Sequence, residues 1–372
     1  MSFSLTIGQS SLKKDILHSL KTAQVAHSQC IIDYDGRGGL ALALDYAFSL
    51  LYTEIPDSLE KALQHPDLQF IYPVTTSNTV KNKPLCEDYV SDWRNFLQQN
   101  IYGSLFDWLA HIGSDNKQGN IGVDHVSELL KSLSLKPYMG GNKVCLIWGA
   151  EKMNNQAANK LLKLIEEPPK NTYFFFIIPD EEALIATLRS RSQLIFLPPV
   201  KKQMIQDYLT SLGNNDNDAK AISEISQGNI RLATQLSNTN EDIKNIETLL
   251  IECLRYSFSA KGNTSIAVPL MQWANKMGSL GRPLQKAFLH YGNDFIRQAL
   301  LLSYQTPSLV HFKSRTEFSL EKFAPFVNSS NAGELIQLFE NSSYAIERNA
   351  NPKILFTDFC LQLTRLLNKT ED

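Results

Sequence analysis

The sequence predicts a two-part chain, an α/β domain built on a parallel sheet followed by an all-helical half. Two observations carry this. Between about residues 29 and 198, short apolar runs alternate with helical patterns, and after Pro198-Pro199 the strand-like runs stop. Length agrees, since 372 residues suggest two or three domains.

The strand runs are 29–33 (QCIID), 69–74 (QFIYPV), 144–148 (VCLIW), 173–178 (YFFFII) and 193–197 (QLIFL). Each is continuous rather than alternating in polarity, the pattern of strands covered on both faces. From Leu40 the run LALALDYAFSLL is helix-forming. Asn154 suits an N-cap, because Ala158, Leu161, Leu162 and Ile165 follow at helical spacing, and Pro168-Pro169 stops that helix. From about 76 to 119, Trp93, Phe96, Tyr102, Phe106 and Trp108 stand among polar residues, so the segment reads as an inserted helical excursion whose aromatics pack it onto the sheet. Helices are expected over 201–212, 218–226, 243–258, 284–303, 332–349 and 353–368, with turns at 213–218 and 237–242.

Composition narrows the function. Hydrophobic residues make up 43%, and 36 Lys+Arg against 38 Asp+Glu leave a formal charge of −2. This argues against disorder and against nucleic-acid binding through bulk positive charge. The cysteines, 30, 86, 145, 253 and 360, form no C-x-x-C pair or zinc-type spacing and read as reduced thiols of a cytosolic protein. No apolar run is long enough for a membrane span, and the amphipathic N-terminus has no export-signal pattern.

A phosphate-binding loop needs a glycine turn between strand and helix, a Lys for the β/γ-phosphates and a Ser/Thr for magnesium. Asp33-Tyr34-Asp35-Gly36-Arg37-Gly38-Gly39-Leu40 has the turn, but Gly39 stands where the Lys belongs and Leu40 where the hydroxyl belongs. Asp33 and Asp35 add negative charge where phosphate would sit. At the end of the 144–148 strand, Trp148-Gly149 replaces the carboxylate pair that would hold magnesium. Glu151 is expected to be a solvated residue beyond the strand tip.

Residues 143–193 join a strand, a capped helix ending Glu166-Glu167-Pro168-Pro169, an aromatic strand and Ser190-Arg191-Ser192. This pattern resembles the clamp-loader branch of the AAA+ ATPases, with Ser192 in place of the usual Cys. The resemblance is strong over 120–235. It implies a P-loop (AAA+ RecA-like) sheet domain over 1–198, a helical lid over 199–240 and a helical collar over 241–372. It also implies that Arg191, with Ser190, supplies an arginine finger to ATP on a neighbouring subunit. Arg231, in Gly228-Asn229-Ile230-Arg231, matches a lid motif that senses nucleotide, and here is expected to fasten the lid to the sheet domain. The simpler alternative for Arg191 or Arg189 is a carboxylate partner on its own surface.

Taken with the missing Lys and acidic pair, the resemblance implies a subunit that does not hydrolyse ATP and holds neither cofactor nor metal. It would belong to the polymerase holoenzyme of bacterial DNA replication and load the sliding clamp. The implied partners are the ATP-binding gamma/tau subunits and the clamp-opening delta subunit in a heteropentamer, and through them the clamp and primer-template DNA. Lys152, Lys160 and Lys163 are candidate phosphate contacts, or simply a solvated helix face. Relatives carry a cysteine zinc module before the His65-Pro66-Asp67 segment; this chain has no Cys there, and His65 reads as a turn residue. The competing readings are an active ATPase motor with an unusual nucleotide site and a stand-alone DNA-binding scaffold.

Overall fold

The computed structural model describes residues 3–369 except 35, 78, 115–116, 140, 238–241, 281, 307–308, 311, 313, 315, 317 and 349. Asp35 and most of the 237–242 turn therefore lie outside the described residues. The chain divides into two compact units, one of 1–213 with 226–234 and one of 214–225 with 235–372.

The first unit is built on five strands, β1 (Ser28–Ile32), β2 (Leu68–Ile71), β3 (Lys143–Trp148), β4 (Thr172–Ile178) and β5 (Gln193–Phe196), in the order β2-β3-β4-β1-β5. Every pairing is parallel. Strands β1 and β3 are buried at every residue, as their unbroken apolar runs require. Strand β5 departs from the expectation of cover on both faces: Gln193 and Phe196 are exposed, because β5 is an edge strand.

Alternation of side chains across the pleat sorts the core into two layers. Ile31, Leu146, Phe175 and Ile195 face one side, and Cys30, Cys145, Phe174 and Phe176 the other. Over the first side lie α1 (Ser10–Lys21) and α2 (Gly39–Leu51), with α3 (Leu59–Ala62), α4 (Val90–Gln99) and α5 (Leu105–His111) beyond. Over the second lie α6 (Val123–Ser134), α7 (Asn155–Glu166) and α8 (Ala186–Arg189). Helix α6 has no counterpart among the expected helices, although Val126, Leu129, Leu130 and Leu133 recur at helical spacing.

Helix α7 starts where its cap predicts. The Asn154 side chain accepts the Ala157 N–H at 2.8 Å, and Ala157, Ala158, Leu161 and Ile165 are buried. Asn154→Ala is expected to cost about 1 kcal/mol, read as a lower urea midpoint.

The 76–119 excursion leaves and rejoins the sheet domain beside one bridged pair, Val74 and Asn120, whose backbones bond reciprocally at 3.1 Å. Its aromatics are core: Trp93 stacks on Tyr72 with ring centroids 4.2 Å apart, and Trp108 donates its indole N–H to Pro73 O at 2.8 Å.

Two histidines of this unit are buried. His65, in the turn before β2, accepts the Asp67 N–H on Nδ1 and sets its ring against Tyr52. His125 accepts the Gly122 N–H at the start of α6. Desolvation lowers both pKa values below the usual 6.5. A lowered histidine pKa means that the unfolded chain binds the proton first, so stability falls as pH drops through 6.5 towards the folded value. His125→Asn keeps an acceptor for Gly122 and is expected to flatten the fall in urea midpoint between pH 7.5 and 5.5. A slope unchanged by the substitution would contradict this.

Strands give way to helices after β5: α9 (Lys202–Ser211), α10 (Asp216–Ser226) and α11 (Ile230–Ser237). The second unit is helical, with α12 (Asp242–Ser259), α13 (Ala267–Ser279), α14 (Arg282–Ser303), α15 (Leu320–Phe323), α16 (Ala332–Glu347) and α17 (Pro352–Leu367). Its core is aromatic, with Phe288, Phe339, Phe356 and Phe359 in mutual ring contact. Gly292 lets α14 approach α16, since a Cβ there would lie 2.1 Å from the Phe339 ring. Cys253 on α12 and Cys360 on α17 are distant in sequence, yet both are fully buried, and burial pushes the Cys253 thiol well above the usual thiol range. Among the described residues no helix is long and apolar enough to cross a membrane, and no cluster of three His, Cys, Asp or Glu could hold a metal.

Candidate functional site: a filled phosphate cradle and a remote arginine

The glycine turn follows β1 directly. Asp33 N–H bonds Ile178 O at 2.8 Å, and Gly36 and Gly38 take φ of 87° and 101°, left-handed values that favour glycine. Gly39 then opens α2. The turn thus keeps the shape of a phosphate cradle, a strand running into a helix N-terminus.

Its interior is occupied by the protein's own side chains. Asp33, 8% exposed, accepts the Arg37 N–H at 2.5 Å, so a carboxylate meets a donor of the kind phosphate uses. Gly39 packs on it so closely that a Cβ there would sit 2.7 Å from Asp33 Cβ. Arg231 lies across Gly36: its N–H bonds Gly36 O at 3.1 Å, its Nε bonds Tyr102 O at 2.8 Å, and its guanidinium is 4.0 Å from Asp33. A Cβ at Gly36 would lie 2.6 Å from Arg231 Cβ. Tyr102 covers Gly38 and donates its hydroxyl to Leu5 O at 2.5 Å. Arg37 turns away, donating to Leu197 O at 2.7 Å. With the Asp33 carboxylate inside the turn and neither lysine nor hydroxyl at Gly39 and Leu40, the turn lacks the groups that ordinarily hold a magnesium-bound triphosphate, although the Arg231 guanidinium across it is a cation.

The end of β3 is equally altered. Trp148 is 6% exposed and packs on Trp93 at 5.2 Å between centroids, and Gly149 turns the chain at φ 65°. Glu151 corrects the expectation of a solvated residue. It is half-buried, Oε2 is shielded without a hydrogen-bond partner among the described residues, and desolvation raises its pKa. The cause is the turn at Ala150–Lys152, which folds back so that Ile121 N–H bonds Lys152 O at 2.9 Å.

Arg191 sits at the opposite end of the strands from the glycine turn. It precedes β5, whose first residue Gln193 pairs with Gln29 at the start of β1, whereas the glycine turn follows the end of β1. At ~3.3 Å per residue this strand sets the two roughly 16 Å apart. Ser192 secures the approach, with its hydroxyl 2.7 Å from Ser28 Oγ. Ser190 and Arg189 bond local carbonyls, of Thr187 and Glu181. The Arg191 guanidinium lies 2.8 Å from Glu166 Oε1 and 3.2 Å from Thr187 O, with both charged side chains 42% exposed. This is the own-surface carboxylate contact that the sequence left open as the alternative.

Of the three candidate lysines, Lys152 and Lys163 are exposed, while Lys160 is half-buried and donates to Ser127 Oγ on α6 at 2.6 Å. Sequence reasoning did not assign Tyr102 or Glu166 to either site. Tyr102 comes from the excursion and meets the turn only in the folded chain. Glu166 was legible as a helix-end residue, but its position beside Arg191 depends on strand order.

Fold and site together define a P-loop-type α/β domain whose cradle is filled from within, carried on a chain with a helical second unit. Residues 8–201, just over half of the 372, match the family described as DNA polymerase III, delta subunit, and the chain belongs to that family. DNA polymerase III subunit delta' of Escherichia coli (strain K12) is 31% identical over 190 residues, 51% of this chain and 53% of that protein. The same-named subunit of Haemophilus influenzae is 36% identical over 98 residues, 26% of this chain and 30% of the relative. The chain thus spans about half the length of the first of these relatives and less of the second. A DNA polymerase III gamma subunit-related protein from Thermotoga maritima superposes over 95% of this chain and 99% of its own with a TM-score of 0.40 at 14% identity.

Proposed function

We propose that this chain is a subunit of the DNA polymerase III clamp loader that turns over no ATP itself and lends Arg191 to the nucleotide of a neighbouring ATP-binding subunit. The observation carrying the reading is the cradle filled by Asp33, Arg231 and Tyr102. Membership of the delta-subunit family supports the setting. In this reading 199–240 acts as the lid and 241–372 as the collar, in an assembly with gamma/tau and delta subunits that acts in the cytoplasm on the sliding clamp and primer-template DNA.

The geometry gives the arginine a reason to act in trans. A guanidinium before the start of β5 is separated from the chain's own glycine turn by the length of a strand, which favours a phosphate presented by another molecule at that end of the strands. A guanidinium suits the task because it stays charged and offers planar paired donors to phosphoryl oxygens. Ser190 shapes the turn that presents it.

Calorimetric titration of the isolated chain with ATP and magnesium is expected to give no measurable heat of binding up to millimolar nucleotide. Micromolar affinity would overturn the filled-cradle reading and favour the active-motor alternative.

A further inference from the structure

The contact between Arg191 and Glu166 has a consequence for regulation, and its argument rests on the finger reading just given. A finger has to be free to leave whatever it touches before assembly. In this chain it touches a carboxylate at the last residue of α7, a helix that packs against α8, which the arginine follows. Two separate bonds hold the guanidinium there, one to Glu166 Oε1 at 2.8 Å and one to Thr187 O at 3.2 Å. The contact is 42% exposed on each side, so water and salt reach it and it is weakly held. A phosphoryl oxygen in a closed subunit interface is a stronger acceptor for the same donors, because charge-assisted hydrogen bonds gain strength where water is excluded.

We propose that Glu166 is a positioning residue that holds the finger in the unassembled chain and competes with the neighbour's nucleotide for it, so that its carboxylate sets how readily the assembled site engages ATP. The pair keeps the guanidinium folded against its own surface until the more highly charged triphosphate displaces a single carboxylate. Glu166 touches no substrate in this scheme and acts only through Arg191. In the held state the Arg191 side chain is still 42% exposed, so an incoming phosphate can reach it before the carboxylate lets go.

The test is steady-state ATP hydrolysis by the clamp loader reconstituted from full-length subunits, comparing wild type, Glu166→Gln, Arg191→Ala and the double variant. With the competitor neutralised, Glu166→Gln is expected to raise kcat/KM for ATP roughly two- to five-fold, mainly through KM, as suits a surface ion pair of ordinary strength. The gain is expected to vanish in the Arg191→Ala background and to shrink at 0.5 M salt, where the pair is screened. Glu166→Asp, which keeps the charge, is expected to stay nearer wild type than Glu166→Gln. A kcat/KM unchanged or lowered by Glu166→Gln, or a gain that persists without Arg191, overturns the proposal while leaving the finger intact. Failure of the finger itself reads differently: Arg191→Ala alone then leaves hydrolysis unaltered.

Discussion

Replacing Arg191 with alanine is expected to slow ATP hydrolysis at the nucleotide site it is proposed to serve by about 10³-fold or more, the lower end of the range for arginine fingers in phosphoryl transfer. The size follows from where the charge acts. In the free chain the guanidinium is partly solvated and its contact with Glu166 contributes little to stability, so its removal leaves the fold intact. In the closed interface proposed above, the same group would face charge building on the transferred phosphoryl group, in a medium that screens poorly. Structure and rate therefore separate cleanly. Circular dichroism and assembly by gel filtration should match wild type, while phosphate release falls by that site's share of turnover. Arg191→Lys keeps the charge but loses the planar pair of donors, and is expected to recover only a small part. An assembled Arg191→Ala complex with wild-type, DNA-stimulated turnover would refute the assignment.

The second large effect lies in the 76–119 excursion. Trp108→Ala is expected to destabilise the first unit by about 3–5 kcal/mol, the usual cost of emptying a buried tryptophan site. Trp108 is fully buried, and its ring meets Tyr72, Tyr89, Trp93 and Phe96 with centroids 5.1–6.3 Å apart. Truncation removes these contacts and leaves Pro73 O without its indole donor. Against a total of about 5–15 kcal/mol for a typical domain, that is a large fraction. Urea unfolding followed by far-ultraviolet circular dichroism measures it, since the aromatic signal itself changes. A midpoint near wild type would mean that the excursion is a peripheral appendage, not a wall of the core. The same cluster reaches Trp148 at the end of β3, so the shift should be accompanied by a looser strand end in hydrogen exchange.

Much of the fold was legible in the residues, and for identifiable reasons. The apolar runs that read as strands are those of β1 to β5, and in β1 and β3 burial at every residue accounts for the continuous apolar stretch. Asn154 and the proline pair mark the ends of α7 through local chemistry alone. Helix α6 has an ordinary amphipathic pattern hidden between polar flanks, and the exposure of Gln193 and Phe196 on β5 was not legible because edge or centre is a property of strand order.

The site divides along the same line. The glycine spacing, the absent lysine and hydroxyl, the Trp148-Gly149 strand end and the Ser190-Arg191-Ser192 turn are all written in linear order, since each concerns which groups neighbouring residues carry. Whether the cradle stands open, and what Arg191 touches, were decided only by folding. Tyr102 and Arg231 reach Gly36 and Gly38 from segments more than sixty residues away, and Glu166 reaches Arg191 because β4 and β5 both pair with β1. Short-range chemistry is set by covalent neighbours, whereas occupancy of a space depends on every segment that the packed sheet brings to it.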